Sequence, residues 1–282
     1  MLKVKTYFWN DRVEKFSRHE LRKLFKRSPN LFFKYGNAGD IFNKILISFL
    51  YPSVEVENSK YKSNRLFLIG STMHMARAGD VMAGVGIKSP DQLPVSGIDL
   101  TIRGVRGHLT YDLLKKNGFN ISMVDYIMDP GLLICKIVDP MTQTAKPNQI
   151  GILPHYRERY DVKRELSFGN GIKFLNIDSN PVDLAKKILD CEIVYTSSLH
   201  GIVFAHSLQR PVVFVRPRTH EPLFKYQDYF SSIEKVLPTP RDGFGQERNI
   251  SSPISPICVR DVINSFKLTP LEHLRDFGCL EV

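Results

Sequence analysis

The sequence is poor in cysteine and has no long apolar run, and each absence excludes a class of protein. Its 4 cysteines are scattered without C-x-x-C spacing, which supports neither a zinc site nor a disulfide framework. The longest apolar run, I-L-I-S-F-L-Y at 45–51, is too short to cross a bilayer. The first residues include no apolar segment leading to a cleavage site, so we expect a reduced, cytoplasmic protein.

Several catalytic motifs are also missing. The chain contains no H-E-x-x-H, no P-loop, no G-x-G-x-x-G and no G-x-S-x-G elbow, and the glycines of G-V-G-I-K (84–88) lack the required spacing. These absences disfavour a metal site and a nicotinamide enzyme. No nucleic-acid-binding module is recognisable either, so we predict no nucleic-acid partner.

Positive charge is abundant, with a formal net charge of +10 that favours anionic partners. Much of the excess lies in K-F-S-R-H-E-L-R-K-L-F-K-R at 15–27, where apolar and basic residues could occupy different faces of a helix. Two interpretations remain open. The segment is either a helix resting on an anionic membrane surface or a basic surface helix packed on its own domain.

Short β patterns alternate with helical patterns along most of the chain, which predicts an α/β fold with parallel sheets. Helices are predicted at 108–119, closed by Gly118, at 181–190, with proline in the first turn, and from Leu199 onward. A polar, proline-containing stretch at 136–149 resembles a linker. We therefore predict two α/β domains facing a cleft, an N-terminal domain at 1–145 and a C-terminal domain at 146–282.

Polar residues concentrate at the predicted junctions between elements, and open parallel sheets bind ligands beyond the carboxyl ends of their strands. Histidines can transfer protons near neutral pH, and arginines can bind phosphate or carboxylate groups. The candidate site residues are Asn37, Asp40, His74, Arg103, Arg106, His155, Arg157, Ser197, Ser198, His200 and Gly201.

Each candidate also has a purely structural interpretation. Asp40 could cap a helix that continues through 44–50. The histidines could be hydrogen-bonded structural residues, and Arg103 and Arg106 could be surface charges. His206 lies six residues after His200, so on one helix the two would face different directions, and we interpret His206 as packing.

An ordered series of motifs resembles the polysaccharide pyruvyl transferases over roughly residues 33–216. The motifs are N-A-G-D-I-F-N (37–43), I-G-S (69–71), I-R-G-V-R-G-H-L-T (102–110), D-P-G-L-L (129–133), L-P-H-Y (153–156) and S-S-L-H-G-I-V-F-A-H-S-L-Q-R-P-V-V-F-V (197–215). The resemblance implies two Rossmann-like domains, similar to GT-B glycosyltransferases.

It also implies transfer of pyruvate from phosphoenolpyruvate, as donor substrate and with no separate cofactor, onto two hydroxyls of a sugar. Acceptors of such enzymes are exopolysaccharide or cell-wall repeat units, often lipid-linked, so contact with the inner face of the plasma membrane is expected.

By motif position, the resemblance makes His200 the leading acid/base candidate and Asp40 a base or acceptor contact. Arg103 or Arg106 would bind anions, and His74 and His155 would belong to the same cleft. Several members have an arginine where this chain has Ser198, so the donor would be held by backbone N–H groups near Gly201 and by other arginines, such as Arg157 or Arg216.

Two alternatives are open from the sequence. One is a GT-B glycosyltransferase that uses a nucleotide sugar, for which Glu221 would be the ribose contact. The other is a non-catalytic scaffold on the membrane surface within a polysaccharide assembly complex, motivated by the basic 15–27 segment and by Ser198.

Overall fold

The computed structural model describes residues 2–9, 33–169, 171–245 and 254–281. The strands are β1 (Lys3–Thr6), β2 (Glu55–Asn58), β3 (Leu66–Phe67), β4 (Asp80–Ala83), β5 (Leu100–Val105), β6 (Tyr126–Ile127), β7 (Ile150–Leu153), β8 (Ile172–Phe174), β9 (Ile193–Thr196), β10 (Val212–Phe214) and β11 (Leu280–Glu281). The α-helices are α1 (Ala38–Leu50), α2 (His108–Lys116), α3 (Arg159–Glu165), α4 (Pro181–Leu189), α5 (Leu199–Ser207), α6 (Phe224–Ser232), α7 (Arg260–Asn264) and α8 (Leu271–Asp276).

The strands form two sheets, which confirms the α/β prediction and is consistent with two Rossmann-like domains. The first sheet has the order β11-β1-β3-β4-β5-β6, with β2 also paired to β1, and the second has the order β10-β9-β7-β8. All pairs are parallel except β1 with β11. Parallel neighbours end at the same edge of a sheet, so the loops that follow them meet there.

Local sequence signals set several helix ends as predicted. Pro181 begins α4, and the Asn180 side chain accepts a hydrogen bond from the backbone N–H of Val182 at 2.9 Å. Gly118 follows α2 with φ 76°, a left-handed conformation that glycine adopts without strain. Helix α5 begins at Leu199, directly after β9.

The interpretation of Asp40 as the N-cap of a helix is wrong, as the start of α1 shows. It begins at Ala38 with Asn37 at the N-cap position, so Asp40 lies inside the first turn instead of capping the helix. The helix packs its apolar side toward the second sheet, where Phe42 meets Phe204 of α5 edge to face at 5.4 Å between ring centroids. Packing of α1 against elements of both sheets fixes its N-terminus beside the β9–α5 junction.

The domain bounds at 145/146 stay a prediction, but two features show how closely the halves are joined. One continuous apolar core contains Val4 and Phe42 together with Ile177 and Val203. The chain also returns to its start, since β11 pairs with β1. The polar edges of the two sheets are therefore held at a fixed distance across one core.

Candidate functional site

A cavity of about 340 Å³ lies where the carboxyl ends of strands from both sheets meet. Residues after β1, β2, β3 and β4 and at the start of α1 line it, together with residues after β7, β9 and β10. Its lining residues are Tyr7, Trp9, Asn37, Asp40, Lys60, Ser71, Thr72, His74, Met75, Lys88, His155, Tyr156, Arg157, Ser198, Leu199, His200, Glu221 and Lys225. The cavity thus brings together seven of the residues predicted from sequence, which are Asn37, Asp40, His74, His155, Arg157, Ser198 and His200.

The loop before α1 is tied to the second sheet by Asp178. Its carboxylate accepts hydrogen bonds from the backbone N–H groups of residues 34–36 at 2.8 to 3.1 Å. The Ala38 N–H donates to the Ile177 carbonyl at 2.8 Å. Gly36 makes the turn at φ 118°, a region that other residues rarely adopt. These contacts aim Asn37 and Asp40 into the cavity.

Asp40 is a buried carboxyl group with an unusual proton affinity. Burial raises its pKa to about 7, although the Lys225 ammonium and a hydrogen bond from Asn37 Nδ2 to Oδ2 at 2.7 Å both act to lower it. At neutral pH this carboxyl is therefore close to half protonated. A group in that state can give or accept a proton with little cost, which is the requirement for general acid–base catalysis.

Because the pKa of Asp40 is raised, we expect the free energy of unfolding to depend on pH. Its pKa of about 7 in the folded state exceeds 3.8, the ordinary value for an aspartate in the unfolded chain. Between these two pH values the folded state therefore retains a proton that the unfolded state has lost. The wild type thus loses stability as the pH rises from about 4 to 7, by on the order of 4 kcal/mol at pH 8. Asparagine carries no charge, so Asp40→Asn should be more stabilising at pH 8 than at pH 5 in urea unfolding. Asp112→Asn, on an exposed position of α2, is the matched control. An equal effect of Asp40→Asn at both pH values would contradict the assigned shift.

His200 lies at the β9–α5 junction, pressed against the start of α1. A Cβ at Gly39 would lie 1.9 Å from His200 Cγ and Nδ1, so only glycine at that position leaves room for the ring. Burial, together with the nearby cations of Lys225 and Arg106, lowers the pKa of His200 to about 3. The imidazole is therefore neutral at pH 7 and can accept a proton.

The two serines before His200 have different surroundings. Ser198 occupies the N-cap of α5, accepts a hydrogen bond from the Gly201 N–H at 3.4 Å and lines the cavity. Ser197 points inward, where its Oγ accepts from the His155 N–H at 2.8 Å and donates to Glu158. Gly201 packs on the Thr196 hydroxyl, since a Cβ there would approach Oγ1 to 2.3 Å. Ser197 and Gly201 shape the junction without lining the cavity.

His155 and His74 lie in the same cavity and both have lowered basicity. Burial holds the pKa of His155 well below its usual value, with Lys225 and Arg157 adding to the effect. Its Nε2 lies 3.9 Å from Glu221 Oε1. Burial also lowers the pKa of His74, and Lys88 contributes. Both imidazoles are thus neutral hydrogen-bonding groups at pH 7.

Three cations converge on the Glu221 carboxylate. Lys225 Nζ donates to Oε2 at 2.7 Å, Arg157 Nη1 lies 3.2 Å from Oε1, and Lys88 Nζ lies 3.8 Å from Oε2. Burial alone would raise the pKa of Glu221, but Lys225 and the other cations lower it, so it is ionised. Burial lowers the pKa of Lys225, an effect that Glu221 opposes. One anion faces three cations, which leaves the cavity with an excess of positive charge.

Lys88 and Lys225 line the cavity but were not among the residues predicted from the sequence. Lys88 follows β4, so the strand-end rule could have found it within G-V-G-I-K, which was considered only as a phosphate-loop motif. Lys225 lies on α6, four residues after Glu221, and nothing in its local sequence distinguishes it from a surface lysine. Its place in the cavity results from the packing of α6.

Arg103 and Arg106 do not line the cavity. Arg103 forms an ion pair with Asp125, which directly precedes β6. Arg106 is fully buried, donates to Asp228 at 2.8 Å and also donates to the Ser71 hydroxyl and the Ile87 carbonyl. Its guanidinium therefore supports the loop that carries Ser71 from behind. The carboxylate and carbonyl partners leave it poorly placed to receive a ligand anion.

Several buried polar atoms at the cavity have no hydrogen-bond partner among the described residues. They are Asn37 Oδ1, Thr72 Oγ1, His155 Nδ1 and His200 Nε2. An unpaired buried polar atom costs about 1–3 kcal/mol, so native proteins keep few of them. At the cavity, these atoms are available to pair with a polar ligand.

Other expectations from the sequence have mixed outcomes. His206 packs on Tyr229, with Nδ1 2.9 Å from the phenol oxygen, which confirms its structural interpretation.

The basic segment 15–27 lies outside the described residues, so its membrane role stays a prediction. Within the described ranges, no helix combines the length and apolar character needed to span a bilayer.

Comparison with known proteins identifies one family. A family model described as polysaccharide pyruvyl transferase matches residues 5–218. The chain is similar to an uncharacterised protein of Acanthamoeba polyphaga mimivirus, with 31% identity over 210 residues that cover 71% of this chain and 72% of that protein. No solved structure shows a significant match. The family match includes His200 and Arg157, whereas Glu221 and Lys225 follow it.

Proposed function

The chain belongs to the polysaccharide pyruvyl transferase family, and we propose that its cavity transfers pyruvate from phosphoenolpyruvate to two hydroxyls of a saccharide, forming a cyclic ketal. One observation carries the proposal. A cluster of cations lies in the same cavity as two proton-transfer groups whose pKa values differ widely, about 7 for Asp40 and about 3 for His200. Groups separated in this way can act as acid and base in one reaction.

The cations fit the donor. Phosphoenolpyruvate carries a phosphate and a carboxylate on a three-carbon frame, so its site must supply several positive charges at short range. We infer that Lys88, Arg157 and Lys225 supply them around Glu221, in place of the arginine that the resemblance implies for several family members where Ser198 stands. We propose that the C-terminal half, with Arg157, His200 and Lys225, forms most of the donor side, to which Lys88 is added from the N-terminal half, and that the N-terminal half forms most of the acceptor side.

The proton-transfer groups fit the reaction. Protonated Asp40 would give its proton to the methylene carbon of the donor, which leaves the central carbon oxocarbenium-like. His200 would take the proton of the first sugar hydroxyl as its oxygen bonds to that carbon. The bond from carbon to the phosphate oxygen then breaks. The second hydroxyl closes the ketal, its proton leaves with the phosphate, and the proton held by His200 returns to Asp40 through solvent.

A comparison of donors tests this function. Thermal unfolding of the full chain should be shifted upward by phosphoenolpyruvate, and much less by uridine or guanosine diphosphate sugars, since only a ligand of the native state stabilises it. Incubation with phosphoenolpyruvate and a panel of oligosaccharides should release phosphate and yield a pyruvylated sugar. Stabilisation by a nucleotide sugar alone, with sugar transfer, would instead assign the chain to the glycosyltransferases.

Lys225→Met is predicted to weaken donor binding with little change in side-chain length. Loss of a charge-assisted contact of about 1.5–3 kcal/mol corresponds to a rise of about ten- to a hundredfold in the dissociation constant for phosphoenolpyruvate. Calorimetric titration measures it, and Lys115→Met, at an exposed position of α2, is the control for the chemical change. Unchanged affinity in a folded Lys225→Met protein would remove Lys225 from the donor site.

A further inference from the structure

An aromatic cluster borders the cavity beside the cations. The ring centroids of Trp9 and Tyr156 lie 5.1 Å apart with an interplanar angle of 36°, and Phe33 contacts both rings at 5.2 and 5.7 Å. Phe33 is buried, whereas Trp9 and Tyr156 are half-buried and line the cavity. The guanidinium of Arg159 lies 4.4 Å from the Phe33 centroid, and neither Arg159 nor Phe33 lines the cavity. Phe33 and Arg159 therefore form a rigid support, and the two outer rings supply the accessible surface.

The aromatic surface adjoins the reacting groups directly. Tyr156 stacks beside His155 at 4.4 Å between centroids, and its phenol oxygen accepts a hydrogen bond from Arg157 Nε at 2.8 Å. Arg157 is also one of the cations around Glu221. The cavity thus presents flat aromatic rings beside its cations, and the contact between Tyr156 and Arg157 joins the two.

The donor alone does not account for the aromatic rings of Trp9 and Tyr156 in the cavity lining. Phosphoenolpyruvate is small and carries charge at both of its ends, so it gains nothing from removing an indole face from water. A pyranose ring is different, because one of its faces presents a patch of C–H bonds while its hydroxyls project from the edges. Such a face is complementary to an aromatic ring, and the polar edges of the sugar remain free for hydrogen bonds.

We propose that Trp9 and Tyr156 form the acceptor subsite, a platform on which the C–H face of a hexopyranose ring stacks with two hydroxyls directed at the donor. The inference rests on the proposed function for the identity of this sugar as the acceptor. Trp9 is then a specificity-determining residue, since a ring with axial hydroxyls on its stacking face would lose contact with the indole. It supplies surface and orientation and transfers no proton.

Trp9 is also the single tryptophan of the chain, so its emission reports directly on this subsite. Full-length protein is titrated, without donor, with methyl β-galactopyranoside, methyl β-glucopyranoside and methyl α-mannopyranoside, and separately with uridine diphosphate. A saturable shift of the emission with at least one glycoside is the expected result. A shift with uridine diphosphate and with none of the glycosides would overturn the proposal in favour of a nucleobase site, and no shift with any probe would also overturn it.

Kinetics separate this inference from the function itself. Trp9→Leu should raise the KM for the acceptor about tenfold, the loss expected for one aromatic contact of about 1.4 kcal/mol, and leave the KM for phosphoenolpyruvate unchanged. Trp9→Phe should restore most of the affinity. Tyr61→Leu, at a position 74% exposed and outside the cavity lining, is the matched control.

If pyruvyl transfer proceeds with an unchanged acceptor KM in Trp9→Leu, the subsite is wrong and the function stands. If the emission titrates with a glycoside but no pyruvate is transferred, the function is wrong and the sugar platform stands.

Discussion

Asp40→Asn is expected to lower kcat by about 10³-fold while donor binding is retained. General acid catalysis contributes about 10²–10⁴ to the rate, and the amide of asparagine cannot supply a proton to the methylene carbon. The substitution keeps the shape of the side chain in the first turn of α1. It also removes a buried group whose charged form is costly, so the variant should be folded and at least as stable as the wild type. The measurement is phosphate release at saturating phosphoenolpyruvate.

The pH profile separates an acid from a residue that only maintains structure. Because Asp40 must be protonated to act, kcat/KM of the wild type should be level below its pKa of about 7 and fall about tenfold per pH unit above it. In Asp40→Asn the remaining activity should lose this alkaline limb. Asp112→Asn, the same change at an exposed position, should keep both the rate and the limb. A persistent alkaline limb in Asp40→Asn would assign the titration to another group.

His200→Gln is expected to lower kcat by about 10²–10⁴-fold, the contribution of a positioned base. Glutamine can place a polar atom near the position of Nε2 but cannot take up a proton at neutral pH. Since Gly39 packs directly on the ring, the narrower side chain fits without moving α1. The alkaline limb set by Asp40 should remain, at reduced amplitude, because the acid is still present.

His206→Gln controls for the loss of a buried histidine on the same helix. His206 is buried, bonds to Tyr229 and does not line the cavity. Its substitution should therefore lower stability more than activity per folded molecule. If His200→Gln is as active as His206→Gln, the imidazole of His200 is a structural group and the base must be sought elsewhere in the cavity.

The strand-end rule located much of the cavity from sequence alone. His155 and His200 follow β7 and β9, which are neighbours in a parallel sheet, so their side chains had to emerge at one edge. His74 follows β3 in the first sheet by the same rule. Their convergence on one cavity depends on how the two sheets face each other, and the sequence predicted this only as two domains facing a cleft, without saying which residues of each domain would meet.

The rule fails where long-range packing decides the use of a residue. Arg106 follows β5 as predicted, but its guanidinium forms an ion pair with Asp228, which lies 122 residues later in the chain. Lys225 reaches the cavity from a helix, and its importance depends on Glu221 and on the opposite sheet. Neither partnership has a local signal. The local sequence around an arginine at a strand end, or around a lysine on a helix, does not show whether that residue lies in a surface patch, a buried ion pair or a binding site.

Ser198 illustrates a different limit. The family resemblance implies an arginine in several members at this position, two residues before His200, and the sequence predicted Ser198 only as a member of the candidate site. The structure gives it the N-cap of α5, which a hydroxyl performs well. The positive charge lies instead on Lys88, Arg157 and Lys225, contributed by three separate segments. We expect such a redistribution to preserve the charge required by the donor.

The most direct test of the account is the reaction in D₂O, followed by nuclear magnetic resonance, with phosphoenolpyruvate and an acceptor glycoside. If protonated Asp40 starts the transfer, one phosphate is released for each ketal formed, and the methyl group of the ketal carries one deuterium from the exchanged carboxyl. The same product should be nearly absent with Asp40→Asn. Absence of a ketal from wild-type protein across the acceptor panel, or formation of the ketal at the wild-type rate by Asp40→Asn, would contradict it.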